Sequence, residues 1–179
     1  MIKKGNWIIK NTRLLYKNPW VKFKEDEVVR PDGKDGIYAT VDILPGVAVI
    51  AVDKERHVYL LKNYQYAIEK FSLTVAGGSI NKNEEPLDAA KRELKEEVGL
   101  VADKWTSLHT ADEVTSGIIN SHTNMFLAEN LSEQGQALDG TEEIEILKIP
   151  LSKAVEMVLN GEITHPVTAL LVLKANLLL

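Results

Sequence analysis

The chain has 179 residues, 45% of them hydrophobic and 26% charged, which suits one globular domain, or one with a small appendage, and excludes wholesale disorder. Cysteine is absent, which excludes a disulfide scaffold, a cysteine nucleophile and thiolate-held zinc or iron–sulfur sites. The formal charge is −5, yet residues 1–24 hold seven lysines or arginines and no acid, leaving all 26 acids and 14 bases to the rest. In chain order, strands are expected over residues 7–16, 21–29 and 36–44, separated by the turn sequences Asn18-Pro19 and Pro31-Asp32-Gly33. Pro45-Gly46 then marks a boundary between an N-terminal β subdomain, 1–44, and a main domain, 45–179. The continuous apolar run 47–52 suits a strand buried on both faces. The polar segment 53–56 suits a hairpin loop leading into a strand over 57–64. A short strand over 73–76 runs into Gly77-Gly78, and a helix is expected over 86–98. Strands over 105–110, 123–128 and 143–149 follow. Helices over 151–160, stopped by Gly161, and 167–178, opened by Pro166, close the chain. Interleaved strands and helices give an α/β or α+β sandwich.

The basic first 24 residues meet a polyanionic ligand, pair with acids of the same or a second subunit, or form a solvated strand face. Nucleic acid is not an expected partner, because the acidic remainder repels its backbone. The longest apolar runs, 168–173 and 177–179, fall far short of the roughly 20 residues that span a bilayer. The N-terminus also lacks the apolar core of a signal peptide. A soluble, cytoplasmic protein without a membrane partner is expected.

Residues 77–100 read GGSINKNEEPLDAAKRELKEEVGL. Pro86 suits a first helical turn, the early acids suit the positive end of the helix dipole, and Gly99 suits a left-handed stop. Leu87, Ala90, Leu94 and Val98 recur on one face and are expected to pack inward. With Leu94 at zero, Glu93, Glu97 and Glu96 fall at about −100°, −60° and −160° around the axis. Three carboxylates thus share one flank, and Arg92 lies one turn from Glu96. Their mutual repulsion is reasonable either on an exposed acidic face or where a hard divalent cation sits among the oxygens.

Gly78, five residues, Glu84, seven residues, then Arg92-Glu93-Leu94-Lys95-Glu96-Glu97-Val98-Gly99-Leu100 resembles the signature of Nudix hydrolases without a mismatch. Seven fixed identities, each near the roughly 7% usage of a common residue, coincide by chance on the order of 10⁻⁸ times per starting point. The resemblance implies an α/β/α sandwich with a mixed sheet, here preceded by the small antiparallel β subdomain. It implies Glu93, Glu96 and Glu97 as ligands of Mg²⁺ or Mn²⁺, with Arg92 and Glu84 bracing them and the backbone carbonyl of Gly77 as a further ligand. Such ions neutralise a diphosphate, polarise its phosphorus and help ionise the attacking water.

Beyond the motif, Leu61-Lys62-Asn63-Tyr64-Gln65-Tyr66-Ala67, Ser116-Gly117, Phe126-Leu127-Ala128 and the tail from Gly161 to Thr168 look like the ADP-ribose and nucleoside-diphosphate-sugar pyrophosphatase branch. That likeness implies Mg²⁺-dependent hydrolysis of an ADP-ribose or GDP-mannose type substrate to a nucleoside monophosphate and a sugar phosphate. It also implies Lys62, Tyr64 and Gln65 near the substrate, and a homodimer formed through the N-terminal subdomain, which frames the nucleoside. Three positions depart from the branch. Ser121 stands where a loop glutamate is common, leaving His122, Glu96 or a metal-bound hydroxide as the base. Gln65 stands where ADP-ribose enzymes carry an arginine, and Thr74 replaces a frequent glutamate. These departures motivate an alternative, a non-catalytic nucleotide-binding sensor on the same fold. A triphosphate-specific hydrolase fits less well, since such enzymes tend to lack the N-terminal extension. Trp7, Trp20 and Trp105 are read as packing residues, and His57, His109 and His165 as structural.

Overall fold

The computed structural model describes residues 1–111, 117–137 and 143–179, and the chain divides into two compact units. The first unit comprises Met1–Leu44 and Asp112–His122. Strands β1 (Ile2–Lys4), β2 (Trp7–Lys17), β3 (Val21–Val29) and β4 (Asp35–Ile43) form an antiparallel meander in that order. The first long turn closes because the Asn18 side-chain oxygen accepts from the amides of Trp20 and Val21 at 2.9 and 2.7 Å, the Asx chemistry its sequence promised. A two-residue strand, Ile119–Asn120 (β10), lies parallel to β4. It had no sequence signal, being too short to show alternation. The basic stretch finds acids within its own unit: Lys24 pairs with Asp42 at 2.6 Å, and Lys10 and Arg13 pair with Asp35 and Glu25.

The second unit comprises Pro45–Ala111 and Thr123–Leu179. Its strands are β5 (Gly46–Ala51), β6 (His57–Gln65), β7 (Lys70–Thr74), β8 (Ala76–Ser79), β9 (Leu100–Ala111), β11 (Thr123–Glu133) and β12 (Glu145–Pro150). Helix α1 (Pro86–Glu93) continues into a π-helical turn, Leu94–Val98, and α2 (Leu151–Leu159) and α3 (Pro166–Leu178) end the chain. One sheet has the order β8-β5-β11-β9 and is mixed, β5 and β11 being parallel. The other, β12-β6-β7, is antiparallel. Val47, Val49 and Ala51 share a buried cluster with Ala89, Ala90 and Leu94 of the first helix and its π turn. The alternate residues Ala48, Ile50 and Val52 are equally buried, and α3 also packs on β5, so helices cover both faces of the strand, as period-two geometry requires. The fold is therefore the α/β sandwich with a mixed sheet and a preceding β subdomain.

Three local expectations are corrected. β5 and β6 do not form a hairpin ladder; a single bridge, Val52 to Val58, joins them. Both edges of β5 are already taken by β8 and β11, so β6 pairs instead with β7 and β12. The expected strand over 73–76 is the seam between β7 and β8, which belong to different sheets, with Val75 at the crossing. The end of the helix over 86–98 is π-helical rather than α-helical. Among the described residues, no helix is long and apolar enough to cross a membrane.

Candidate active site

Pro86 opens α1, with the carbonyl of Glu85 accepting from the amides of Asp88 and Ala89. Ala90 and Leu94 are fully buried, Val98 is 7% exposed, and Leu87 packs at the cluster edge, so the inward face matches the apolar periodicity. Past Glu93 the ladder lengthens: the amide of Gly99 reaches Leu94 and Lys95 carbonyls. Such π turns cluster at functional sites. Gly99 ends the turn at φ +74°, where a Cβ would lie 2.8 Å from the Gln136 amide nitrogen; only glycine fits both demands. The carbonyls left over at this helix end are met by an incoming strap. Ala137 N–H donates to Glu96 O at 3.0 Å, Gln134 N–H to Gly99 O at 2.8 Å, and the Gln136 side-chain amide to Glu97 O at 2.6 Å.

The motif side chains converge on the end of β8. Arg92 grips Glu84 with two nitrogens, at 2.9 and 3.1 Å. Its Nη1 also donates to Glu93 at 2.6 Å and to Glu96 at 3.1 Å, and its Nη2 donates to the Ser79 carbonyl at 3.0 Å. Glu97 accepts from the Gly77 amide at 2.7 Å. Glu93 lies over Gly78, where a Cβ would come within 2.2 Å of its Oε1. Adjacent glycines thus receive Glu97 and Glu93, and one guanidinium nitrogen joins Glu93 to Glu96. Glu93 and Glu97 are buried at 8% and 7% exposure, whereas the Glu96 side chain is 40% exposed.

One positive charge lies among the carboxylates of Glu84, Glu93 and Glu96. The Arg92 guanidinium, with help from the Asn81 amide, pushes the Glu84 carboxyl down to about 2. In return, Glu84 first, then Glu93 and Glu96, hold the Arg92 proton more tightly than usual. The donors are hard oxygens on a rigid helix, the type that Mg²⁺ and Mn²⁺ accept. A single arginine leaves net negative charge among the carboxylates it touches, and a divalent cation fits that charge.

A second group went unread in the sequence. Asp53, Glu55 and His57 place one ligand atom each within 4.8 Å of one another and could hold a divalent ion. Asp53 is already engaged, however: Oδ1 accepts from the amides of Glu55 and His57 at 3.0 and 2.7 Å, and Oδ2 pairs with Lys148 at 2.7 Å. Burial works against the Asp53 anion, but Lys148 and the His57 amide outweigh it and lower its pKa. This is the chemistry of a tight loop between β5 and β6.

The three residues expected near substrate lie on β6. Lys62 pairs with Glu145 at 2.9 Å and sits 5.7 Å from the Phe71 ring centre. Tyr64 meets Phe71 edge to face at 5.5 Å, and the Gln65 amide donates to Asn63 at 2.8 Å. Lys62 and Tyr64 share one strand face and Gln65 takes the other. Tyr64 is half exposed, leaving ring surface beyond its packing partner. Ser121 lies in the first unit, after β10, and Ser116 lies outside the described residues. Sequence reasoning missed Gln136, 39 residues from its partner Glu97, because no local pattern marks a strap glutamine.

Residues 42–165 match the model of the NUDIX domain, and residues 7–41 match that of the nucleoside diphosphate sugar hydrolase N-terminal domain. An ADP-ribose pyrophosphatase of Bacillus subtilis (strain 168) is 33% identical over 146 residues, covering 80% of this chain and 78% of the relative. A methanol dehydrogenase activator of Bacillus methanolicus is 26% identical over 82% of this chain and 80% of its own length. A crystal structure of an ADP compounds hydrolase superposes with a TM-score of 0.79 at 22% identity, over 99% of this chain and 97% of that one, which shows a common fold.

Proposed function

The chain belongs to the Nudix hydrolase family, in its ADP-ribose and nucleoside-diphosphate-sugar pyrophosphatase branch, and hydrolyses phosphoanhydride bonds; from that premise we propose that it is a Mg²⁺-dependent, cytoplasmic hydrolase of a nucleoside diphosphate sugar. The products are a nucleoside monophosphate and a sugar phosphate, water adding to one phosphorus as the bridging oxygen leaves with the other. ADP-ribose and GDP-mannose are the substrate types favoured. The observation that carries this reading is the single Arg92 clasp, which binds Glu84, Glu93 and Glu96 while the Gly77 amide binds Glu97.

Glu93, Glu96, Glu97 and the Gly77 carbonyl would hold the metal. A divalent ion there supplies charge to neutralise the diphosphate, polarise its phosphorus and help ionise the attacking water. The chain's own residues preorganise that site. Arg92 holds Glu93 and Glu96 in place, so little reorganisation remains when substrate arrives. Glu84 holds Arg92 from the far side as a positioning residue. Lys62, Tyr64 and Gln65 contact the nucleotide. The first unit joins two copies into a homodimer, a reading supported by exposed Leu14, Trp20 and Ile37 at 56%, 62% and 67%.

Turnover of ADP-ribose, GDP-mannose, UDP-glucose and dinucleotides, with and without Mg²⁺, tests the proposal. Glu97→Gln keeps an oxygen for the Gly77 amide while removing the charge, so the fold persists and kcat falls by about 10³ or more. Mg²⁺-dependent turnover of none of these compounds overturns the reading; nucleotide-induced thermal stabilisation without turnover points instead to a sensor.

A further inference from the structure

Among the described residues, the buried polar or charged side chains are Glu93, Glu97 and Thr168. The first two belong to the motif. Thr168 belongs to α3, is fully buried, and carries no charge to explain its place. A buried hydroxyl persists where its bonds are needed.

Those bonds form a directional chain. The Thr168 backbone N–H points to His165 Nδ1 at 3.3 Å, so that nitrogen is the acceptor and the imidazole proton sits on Nε2. The Thr168 hydroxyl, 2.9 Å from the same nitrogen, therefore donates to it. Its oxygen lone pairs then face the Val75 amide, which donates at 3.1 Å. Val75 is the crossing point between β7 and β8, where the chain leaves one sheet for the other. Two residues on, the Gly77 amide holds Glu97 at 2.7 Å. Little slack lies between them: Ala76 pairs with Val49 and Gly77 with Ala48, and a Cβ on Gly77 would come within 2.3 Å of the Val47 carbonyl.

We propose that Thr168, oriented by His165, is a positioning residue of the hydrolytic reaction: by pinning the sheet crossing at Val75 it fixes the Gly77 backbone that holds Glu97. This rests on the reading of Glu97 as a metal ligand. A merely structural role predicts lost stability alone; positioning predicts a lower kcat in the folded enzyme.

Thr168→Val keeps the branched shape and removes the hydroxyl. Its kcat at saturating Mg²⁺ and substrate is expected to fall about 10- to 100-fold, the scale of a small misplacement of a reacting group. KM is expected to stay within about twofold, since Thr168 lies beneath the strand rather than in the site. Thr168→Ser restores kcat. Val172→Ala, one turn further along α3 and equally buried, destabilises by cavity formation and leaves kcat unchanged. If Thr168→Val is recovered unfolded, His165→Ala replaces it, removing the group that orients the hydroxyl while leaving Thr168 in place, and is expected to lower kcat in the same direction. A wild-type kcat in the folded variant, or an equal loss in Val172→Ala, overturns the positioning role. Absence of Mg²⁺-dependent turnover in the unmodified protein overturns the hydrolase reading itself, a separate result.

Discussion

Gly77 and Gly78 are neighbours with the same side chain and different reasons for it. A Cβ on Gly77 would meet the backbone oxygen of Val47 at 2.3 Å, and backbone in a paired strand has nowhere to go. A Cβ on Gly78 would meet the Glu93 carboxylate at 2.2 Å, the far end of a side chain with rotatable bonds. The two alanine variants therefore separate stability from activity. Gly77→Ala is expected to lose about 1–3 kcal/mol of stability through overpacking, read from the midpoint of urea unfolding. Gly78→Ala is expected to lose less stability than Gly77→Ala, since a side-chain end can move where backbone cannot, while raising the Mg²⁺ concentration for half-maximal rate, because Glu93 is pushed out of place. Equal stability losses in both would show that Glu93 cannot yield.

At the scale of elements, the turn between α1 and β9 explains what the sequence could and could not disclose. The inward face Ala90, Leu94 and Val98 was legible, because side-chain burial follows the helical period whatever the last turn does. The strands expected over 21–29 and 57–64 were legible too, bounded by turn residues with local chemistry. The π turn was not, because an i→i+5 ladder is selected by partners distant in sequence: Gln134, Gln136 and Ala137 satisfy the carbonyls that the widened turn exposes. The β7–β8 seam stayed hidden for the same reason, since Leu73–Thr74–Val75–Ala76 reads as one short strand until Thr168 claims the Val75 amide. Within the site, the carboxylates and Arg92 were evident from spacing, and the residues that hold their backbone were not. Gln136→Ala should then loosen the last turn selectively. Amide hydrogen exchange at Gly99 and Ala137 is expected to quicken by about tenfold, the effect of roughly 1.4 kcal/mol, a typical hydrogen-bond loss, while amides of α1 keep their protection. Uniform acceleration along the helix would show that the strap supports the whole element rather than its final turn.

For the molecule as a whole, the groups whose pKa is lowered point one way on the acid side of neutrality. Burial lowers the His165 pKa from its ordinary 6.5, so the unfolded chain takes up a proton that the folded chain refuses. Stability is then constant above about 6.5 and declines as pH falls below it, until the folded-state pKa is reached. Glu84 adds a second stage: held at about 2 by Arg92 against an ordinary 4.5, it contributes stability that is lost as pH falls from about 4.5 towards 2. Both losses have the same sign, because in each window the unfolded chain binds more protons. The thermal midpoint, measured with chelator so that metal binding does not intrude, is expected to be level from pH 8 to about 6.5 and to fall in two steps below. His165→Asn supplies an uncharged residue suited to cap α3 and should abolish the upper step alone. A midpoint that stays level to pH 5 in the unmodified protein would show that His165 takes its proton without leaving Thr168, and that the α3 start tolerates the charge.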